Sequence, residues 1–316
     1  MPRNLNGERI GPFKVVRQIS NHGGMAGVYE GTISYAPSRE RNGSRVALKI
    51  SYTDDSNTDI FEEMLVKETQ LLHNFRHPGI VRLMLIEMGE DSRKRLHFGR
   101  ARDIDGMPFY FAMELLQGGT LADIIGKRGF DLSWKVELIY QLAITLHYLH
   151  SSGLAHRDLK PENIMFRTSP DPRELPQPIL IDFGLAEKRR VNPEVNAATI
   201  RYAAPERVQH LITQKAHYEP TRDVTDHSKA DVWALGVIAW ELFADSYPFQ
   251  HIKNRTALAD SIVRDRPRIS KGNIPPRLQK LLAVMLAKDW QKRFTIDEII
   301  NVLETDIENL APRLDS

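Results

Sequence analysis

The sequence contains no cysteine in its 316 residues. A fold that depends on disulfide bonds is therefore excluded, and so is a zinc site made of thiolates. The absence of cysteine also favours a reducing compartment, and the cytoplasm is the expected location.

The sequence also lacks long hydrophobic runs and an excess of either charge. The apolar stretch at residues 232–243 is among the longest, and it is shorter than the roughly 20 residues that a helix needs to cross a bilayer. Residues 1–11 contain two arginines and no apolar core, so they do not resemble a secretory signal. Lysine and arginine number 43 against 41 aspartate and glutamate, so neither nucleic acid nor an acidic membrane is expected as a partner.

The composition that remains is typical of a compact globular protein, with 41% hydrophobic and 27% charged residues. Up to about residue 114, short apolar runs between glycine, asparagine, aspartate and proline predict strands at residues 13–19, 28–34, 45–51, 81–88 and 109–113. Apolar residues at helical spacing predict one helix over residues 61–72. The first third is therefore expected to form a small sheet with one helix.

In the rest of the chain the apolar spacing is helical. We predict a long helix over residues 134–150 and a helix over residues 231–243 that is buried on all sides. Pro275-Pro276 suits the start of a further helix, and Thr295 with Glu298 forms a capping-box pattern before another. The second part is therefore expected to be mainly helical.

This change of pattern predicts two lobes of an α+β fold, residues 1–116 and residues 117–316. Gly118 and Gly119 lie at the boundary, where they would supply the backbone freedom of a hinge. Ligand clefts favour such junctions.

Several motifs suit the transfer of a phosphoryl group, which requires that phosphates be held, their charge neutralised and the attacking hydroxyl aligned. Among their residues are the lysines Lys49 and Lys160, the carboxylates of Asp158 and Asp182 and the amide of Asn163. The motifs are His156-Arg157-Asp158-Leu159-Lys160-Pro161-Glu162-Asn163, Asp182-Phe183-Gly184, Val46-Ala47-Leu48-Lys49 and Ala204-Pro205-Glu206.

With these motifs the sequence resembles the eukaryotic-like, or Hanks-type, serine/threonine protein kinase domains, from a glycine loop near residue 21 to Arg293. The resemblance implies one bilobal domain with a small antiparallel sheet, which transfers the γ-phosphoryl group of Mg-ATP to a hydroxyl on a protein. Lys160 is typical of the serine/threonine branch, and Gly23-Gly24-Met25 is similar to the loops of bacterial members.

The resemblance assigns a role to each polar residue of the motifs. Asp158 would accept the proton of the substrate hydroxyl, and Lys160 would neutralise the transferring γ-phosphoryl group. Asn163 and Asp182 would hold magnesium. Lys49 would hold the α- and β-phosphates while it pairs with a glutamate of the helix.

Glu68 is the expected partner of Lys49, because it lies ten residues before Pro78, the usual distance in the family. The alternative is that Glu68 belongs to a charged, solvated helix face together with Glu62, Glu63 and Lys67.

The resemblance also implies a nucleotide pocket, although apolar strand residues belong to a core more often than to a ligand site. Two positions of the glycine loop depart from the family pattern, because Asn21 and Ala26 replace glycines, so a plain hairpin turn remains the alternative there. Glu114 and Leu116 would contribute backbone groups. The implied pocket consists of Ile19, Gly23, Gly24, Val28, Ala47, Lys49, Met113, Glu114, Leu116, Met165 and Asp182.

Three further roles follow from the resemblance. Thr199 would contact the catalytic aspartate and lysine from the segment that receives the peptide. Glu206 would form a buried pair with Arg293, which is a structural role. Asp231 would hold the backbone of the catalytic loop without contacting substrate.

Four further charged residues bear on how such a kinase would be activated and on which acceptor sequences it would favour. Arg157 commonly pairs with a phosphate on the activation segment, but residues 185–198 contain no serine, threonine or tyrosine. One hypothesis is that Glu194 supplies a fixed negative charge instead; the alternative is that it is plain solvated surface. Glu162 and Glu241 could favour basic residues near the acceptor, although both have ordinary structural roles in the family.

Residues 87–108, 167–178 and 208–228 form segments longer than a minimal kinase requires. The first is rich in arginine and lysine, and a solvated basic hairpin is favoured over a site for an acidic partner.

Two other functions compete with protein phosphorylation. A catalytically silent scaffold is suggested by Asn21 and Ala26, but the complete set of polar motif residues is evidence against it. A kinase of small molecules or lipids is opposed by Ala204-Pro205-Glu206.

Overall fold

A computed structural model describes residues 4–20, 26–34, 43–53, 58–87, 95–96, 98–184, 197–212, 227–249, 254–268 and 274–310. The chain divides into two compact units, Met1–Gln117 and Gly118–Ser316. Gly23, Gly24 and Glu194, to which the sequence assigned roles, lie outside the described residues.

The first unit is built on an antiparallel sheet of seven strands among its described residues, in the order β1-β2-β3-β4-β9-β5, with β8 also paired to β9. Two more strands, β6 and β7, pair with each other. The strands are β1 (Arg9–Ile10), β2 (Phe13–Ser20), β3 (Ala26–Ile33), β4 (Arg45–Ser51), β5 (Leu83–Met84), β6 (Ile86–Glu87), β7 (Arg95–Leu96), β8 (Gly99–Arg100) and β9 (Phe109–Glu114).

The helix α1 (Thr58–Asn74) packs against β4, β5 and β9. Side chains alternate across a strand, so Val46, Leu48 and Ile50 of β4 enter the core, whereas Lys49 projects from the opposite face. One strand therefore contributes both to this core and to the opposite face of the sheet, where Lys49 lies near α1.

One strand prediction was wrong. Residues 81–88 were expected to form a single strand, but they contain the two short strands β5 and β6, which join different sheets. Leu85 lies between them and is 36% exposed, so the apolar residues of this segment do not form one buried strand. Residues 87–108 were expected to hold a basic hairpin without assigned strand bounds, and the described part of that segment contains the short strands β7 and β8.

The second unit is mainly helical among its described residues. Short 3-10 helices lie at Leu121–Asp123, Pro161–Asn163 and Trp290–Lys292, and a small ladder joins two short strands. Its remaining elements are α2 (Leu132–Ser151), β10 (Ile164–Met165), β11 (Ile179–Leu180), α3 (Ala197–Tyr202), α4 (Pro205–Ile212), α5 (His227–Ala244), α6 (Arg255–Arg264), α7 (Pro276–Met285) and α8 (Ile296–Leu310).

The signals read from the sequence explain several of these boundaries. The helix α7 begins at Pro276 as predicted. The capping box before α8 is confirmed, because the amide of Thr295 donates to Glu298 at 2.7 Å and the amide of Glu298 donates back to the Thr295 hydroxyl at 3.3 Å. The helix α5 is buried on all sides as expected, but it begins at His227, four residues before the predicted start at Asp231.

The predicted α+β class is confirmed, with an antiparallel sheet in the first unit and helices in the second. In the part of the chain that the structure describes, no helix combines the length and the apolar character needed to cross a membrane.

Candidate active site

The first unit brings Lys49 and Glu68 together. The ammonium of Lys49 donates to both carboxylate oxygens of Glu68, at 2.9 and 2.7 Å. The two side chains are 13% and 3% exposed, so the pair is shielded from water and stronger than a surface ion pair. Glu68 is therefore more than part of a solvated helix face.

The residues expected near the adenine lie on neighbouring strands of the same sheet. Val28 on β3 pairs with Lys49 on β4, and Ala47 on β4 pairs with Met113 on β9. Val28 and Met113 are half-buried, whereas Ile19 is 40% exposed at the end of β2. This part of the sheet offers an apolar strip next to the lysine.

Glu114 and Leu116 follow this strip. The Glu114 amide donates to the carbonyl of Arg82 at 2.9 Å, and its carboxylate accepts from the Arg82 amide at 2.9 Å. Leu116 is buried. The side chain of Glu114 therefore fixes the end of β9 to the strand beside it.

The catalytic loop of the second unit gathers three of the expected side chains. Lys160 donates to Asp158 Oδ2 at 2.7 Å, and the Asn163 amide nitrogen donates to the Asp158 carbonyl at 2.8 Å and to Oδ2 at 3.0 Å. These bonds fix the rotamer of Asp158 and place a positive charge beside its carboxylate. Such an arrangement can hold a hydroxyl proton next to an anionic phosphoryl group.

Asp182 lies at the same end of a small ladder as Asn163. The strands β10 and β11 pair Ile164 with Leu180, and the amide of Ile181 donates to the Asn163 carbonyl at 3.0 Å. Because the amide nitrogen of Asn163 is turned to Asp158, its amide oxygen is left as the ligand atom. An amide oxygen and a carboxylate suit Mg²⁺, which takes few protein ligands and keeps waters and phosphate oxygens.

The backbone of the site includes two strained residues. Arg157 has φ 67° and Asp182 has φ 63°, both in the left-handed region that is uncommon for residues other than glycine. The Arg157 amide donates to Asp231 at 2.8 Å, and the Arg157 carbonyl accepts from Arg207 at 2.6 Å. The surrounding structure thus holds the strain beside Asp158.

Asp231 supports the loop as the sequence indicated. Its buried carboxylate accepts from the amides of His156 at 2.7 Å and Arg157 at 2.8 Å, and His150 Nε2 lies 3.0 Å away. Burial by itself would raise the pKa of Asp231, but the hydrogen bond and charge of His150 and the neighbouring donors lower it below its usual value. Asp231 therefore remains an anion.

The ring of His156 connects the catalytic loop to Asp182-Phe183-Gly184. Its Nε2 lies 3.1 Å from the carbonyl of Ile181, and its ring centroid is 5.0 Å from that of Phe183. His156 has no exposed surface and Phe183 is 1% exposed. The contact fixes the segment that carries Asp182.

Sequence reasoning missed the network that holds the peptide-receiving segment. Arg201 of α3 forms an ion pair with Glu241 of α5 and lies over the ring of Tyr247, 4.1 Å from its centroid. The Tyr202 hydroxyl donates to the other oxygen of Glu241 at 2.8 Å, and that of Tyr247 to the Arg201 carbonyl at 2.7 Å. Burial, followed by the charge of Glu241, raises the pKa of Tyr202.

Thr199 lies in α3, but its side chain is outside the described residues. Met165 lies in β10, half-buried, and forms a bridge with Thr120. The structure therefore gathers Asp158, Lys160, Asn163 and Asp182 around one loop of the second unit, and groups Lys49 with Glu68 in the first.

The ion pair of Glu206 with Arg293 joins the first turn of α4 to the residues just before α8. The guanidinium of Arg293 donates to both oxygens of Glu206, at 2.7 and 2.6 Å, and also to the carbonyls of Ala287 at 2.8 Å and Lys229 at 3.0 Å. The Arg293 side chain is fully buried. This pair is part of the scaffold of the peptide-receiving segment.

Known proteins and a family model that match this sequence are protein kinases. The sequence model of the protein kinase domain matches residues 22–303. CBL-interacting serine/threonine-protein kinase 14 of Arabidopsis thaliana is 28% identical over 305 residues, which are 95% of this chain and 59% of that protein. A calcium/calmodulin-dependent protein kinase of Metarhizium anisopliae is 28% identical over 300 residues, 90% of this chain and 69% of that protein.

A third relative, serine/threonine-protein kinase ULK1 of Homo sapiens, is 28% identical over 313 residues, 93% of this chain and 25% of that protein. The chain thus spans 59% of the first of these relatives and a quarter of the third. Since the domain match covers most of the sequence, this chain belongs to the protein kinase domain family, as its catalytic-loop motifs predicted.

Proposed function

We propose that the chain is a serine/threonine protein kinase, which transfers the γ-phosphoryl group of Mg-ATP to a hydroxyl on a protein. The observation that carries the proposal is the cluster of Asp158, Lys160 and Asn163, with hydrogen bonds of 2.7–3.0 Å around one carboxylate. The family relationship and relatives named as serine/threonine kinases support this choice of acceptor.

Asp158 would accept the hydrogen bond of the attacking hydroxyl and hold its proton as the new bond to phosphorus forms. Lys160, already 2.7 Å from that carboxylate, would lie beside the transferring group and offset its charge. The Lys49 ammonium, oriented by Glu68, would bind the α- and β-phosphates.

Asn163 and Asp182 would hold the metal, through an amide oxygen and a carboxylate at one end of the β10–β11 ladder. Magnesium neutralises phosphate charge when it is bound with the nucleotide. The strained backbone at Asp182 directs its carboxylate and is kept in place by the packing of Phe183.

The first experiment is transfer of labelled phosphate to a generic basic protein, followed by identification of the modified amino acid. Asp158→Asn is expected to lower turnover by about 100-fold to 10,000-fold, the range assigned to a positioned acid or base. Asp171→Asn is the matched control, because this aspartate pairs with Arg173 on another loop and touches none of the proposed residues. Unchanged turnover in Asp158→Asn would remove that residue from the mechanism.

A silent scaffold remains the alternative function. Of the two departures that suggest it, Asn21 lies outside the described residues, and Ala26 begins β3 with 3% exposure. A scaffold would bind Mg-ATP or partners with no transfer of label, so the same assay separates the two functions.

A further inference from the structure

Among the described residues, two ion pairs between side chains join α1 to the sheet of the first unit. One is the pair of Lys49 on β4 with Glu68, already described. The other joins Arg100 on β8 to Glu62, which lies six residues before Glu68 on the same helix. Nothing in the sequence connected Arg100 with this helix, because the basic segment around it was expected to be a solvated hairpin.

The Arg100–Glu62 contact is bidentate. One guanidinium nitrogen donates to Glu62 Oε1 at 2.9 Å, and the other donates to Oε2 at 2.6 Å. Arg100 is 52% exposed, but Glu62 is only 12% exposed, so its carboxylate has little access to water besides this partner. The hydrogen bond to Glu62 raises the pKa of Arg100; burial opposes this shift, and the charges of Glu62 and Asp59 add to it. Such fork geometry is more directional than a single contact.

Contacts with the sheet fix the position of Arg100 independently of its ion pair with α1. Its strand pairs with β9, where Arg100 lies opposite Phe109, and the same guanidinium donates to the carbonyl of Met107 at 3.2 Å. The turn between the strands is closed by a hydrogen bond from the Ala101 amide to the Pro108 carbonyl at 2.9 Å. β9 in turn pairs with β4, where Lys49 lies opposite Phe111. One continuous sheet therefore presents both cations.

We propose that Arg100 is a positioning residue, which holds α1 in the orientation that keeps Glu68 on Lys49. Six residues of helix separate Glu62 from Glu68 by about 9 Å along the axis and about 240° around it. A single ion pair restrains the packed helix at one polar point, whereas two attachments offset in height and angle add a restraint on its tilt and rotation. The strand β8, through Arg100, thus acts as a clamp on α1.

The inference rests on the proposed function only for the role of Lys49 in binding nucleotide. Its mechanical part concerns the Lys49–Glu68 contact itself, which is measurable without ATP. Acetic anhydride acylates an amine only when the amine is released from its carboxylate partner, so the acylation rate of Lys49 reports how often the pair is open. Peptide mass spectrometry reads that rate at one lysine.

The experiment compares Arg100→Met, Arg100→Lys and Glu62→Gln with the unaltered chain. Arg17→Met is the matched control, because Arg17 is an exposed arginine that likewise pairs with a buried glutamate, Glu30, 3.0 Å away, on strands that do not carry the clamp. Arg100→Met is expected to speed acylation of Lys49 and to lower kcat/KM for ATP, each by about two- to fivefold. Arg100→Lys is expected to restore part of both, and Arg17→Met to change neither.

A charge exchange keeps the test independent of folding. Arg100→Glu should be more damaging than Arg100→Met, and the double variant Arg100→Glu with Glu62→Arg should recover part of both readouts at an unchanged melting temperature. The inference is overturned if Arg100→Met leaves Lys49 acylation within twofold of the unaltered chain, or if Arg17→Met has the same effect. Absence of any phosphate transfer would instead refute the proposed function. The acylation rates would still test whether Arg100 positions α1.

Discussion

At the scale of single residues, Asp231 illustrates how a buried charge can be retained. Three donors from different parts of the chain face its two oxygens, two of them backbone amides of the catalytic loop. These hydrogen bonds replace the ones that the carboxylate would make to water. They also fix the conformation of the loop next to Asp158.

Replacing Asp231 with asparagine is therefore expected to lower the free energy of unfolding by about 2–4 kcal/mol, because a charge-assisted acceptor is lost and one amide is left facing an NH₂ group. Urea denaturation measures the change. Asp297→Asn is a suitable control, because Asp297 is 64% exposed beside His147 and its loss should cost less than about 1 kcal/mol. Equal losses in both variants would contradict the prediction.

Gly118 shows a different constraint from the one expected. The sequence suggested a hinge, but an added Cβ at Gly118 would lie 2.1 Å from the carbonyl oxygen of Thr168, and the Gly118 amide donates to Phe166 at 2.9 Å. The close approach of two backbone segments explains this glycine. Gly119, with φ 80°, is explained by its backbone conformation.

At the scale of elements, the lysine that follows α7 joins three parts of the second unit. The Lys288 ammonium donates to the carbonyl of Ile262 on α6, and it lies 5.0 Å from the ring centroid of Trp233 on α5 and 4.1 Å from that of Phe249. The aromatic faces partly compensate for lost hydration. Burial lowers the pKa of Lys288 to about 8, with Asp265 opposing and Arg293 assisting the shift.

This lowered pKa predicts a pH dependence of stability. Between pH 8 and about 10.5 the folded state binds fewer protons at Lys288 than the unfolded state, so the contribution of Lys288 to stability rises with pH across that window. We expect the free energy of unfolding of the unaltered chain, measured relative to Lys288→Met, to increase from pH 8 to pH 10. A difference that stays constant or falls would contradict the assigned burial of the ammonium.

Among the elements, those with a local signal were predictable from the sequence and those fixed by distant contacts were not. The helices α2 and α7 and the capping box before α8 follow from spacing and capping residues. The break between β5 and β6 falls in an unbroken apolar run, so periodicity could not reveal it.

The site divides in the same way. Lys49, Asp158, Asn163 and Asp182 lie in motifs whose residue order carries the chemistry. Arg201 with Glu241, and Arg100 with Glu62, are separated by 40 and 38 positions and belong to no local pattern. Their contacts depend on how helices and strands pack, and a list of charges along a chain does not contain that information.

At the scale of the whole molecule, a ligand that binds only the folded chain must stabilise it. Mg-ATP at 100 times its Kd is expected to add about 2.7 kcal/mol to the free energy of unfolding, seen as a higher melting temperature. Chelation of magnesium should remove much of this gain. Asp182→Asn should reduce the magnesium-dependent part without altering the backbone, because asparagine also tolerates the left-handed conformation at φ 63°.

The comparison requires thermal melting of both proteins with nucleotide alone, with nucleotide and magnesium, and with neither. A magnesium-dependent shift of the same size in Asp182→Asn and in the unaltered chain would remove Asp182 from the metal site.

The ion pair of Arg201 with Glu241 limits how well a basic peptide could compete for the Glu241 carboxylate. Glu241 is 5% exposed, and both of its oxygens are engaged by residues of the same chain. An arginine or lysine of an incoming peptide would compete with a tethered guanidinium whose effective concentration is in the millimolar range or above. Peptides at micromolar concentration would lose that competition, so of the two glutamates Glu162 and Glu241, only Glu162 is exposed and available to a basic peptide.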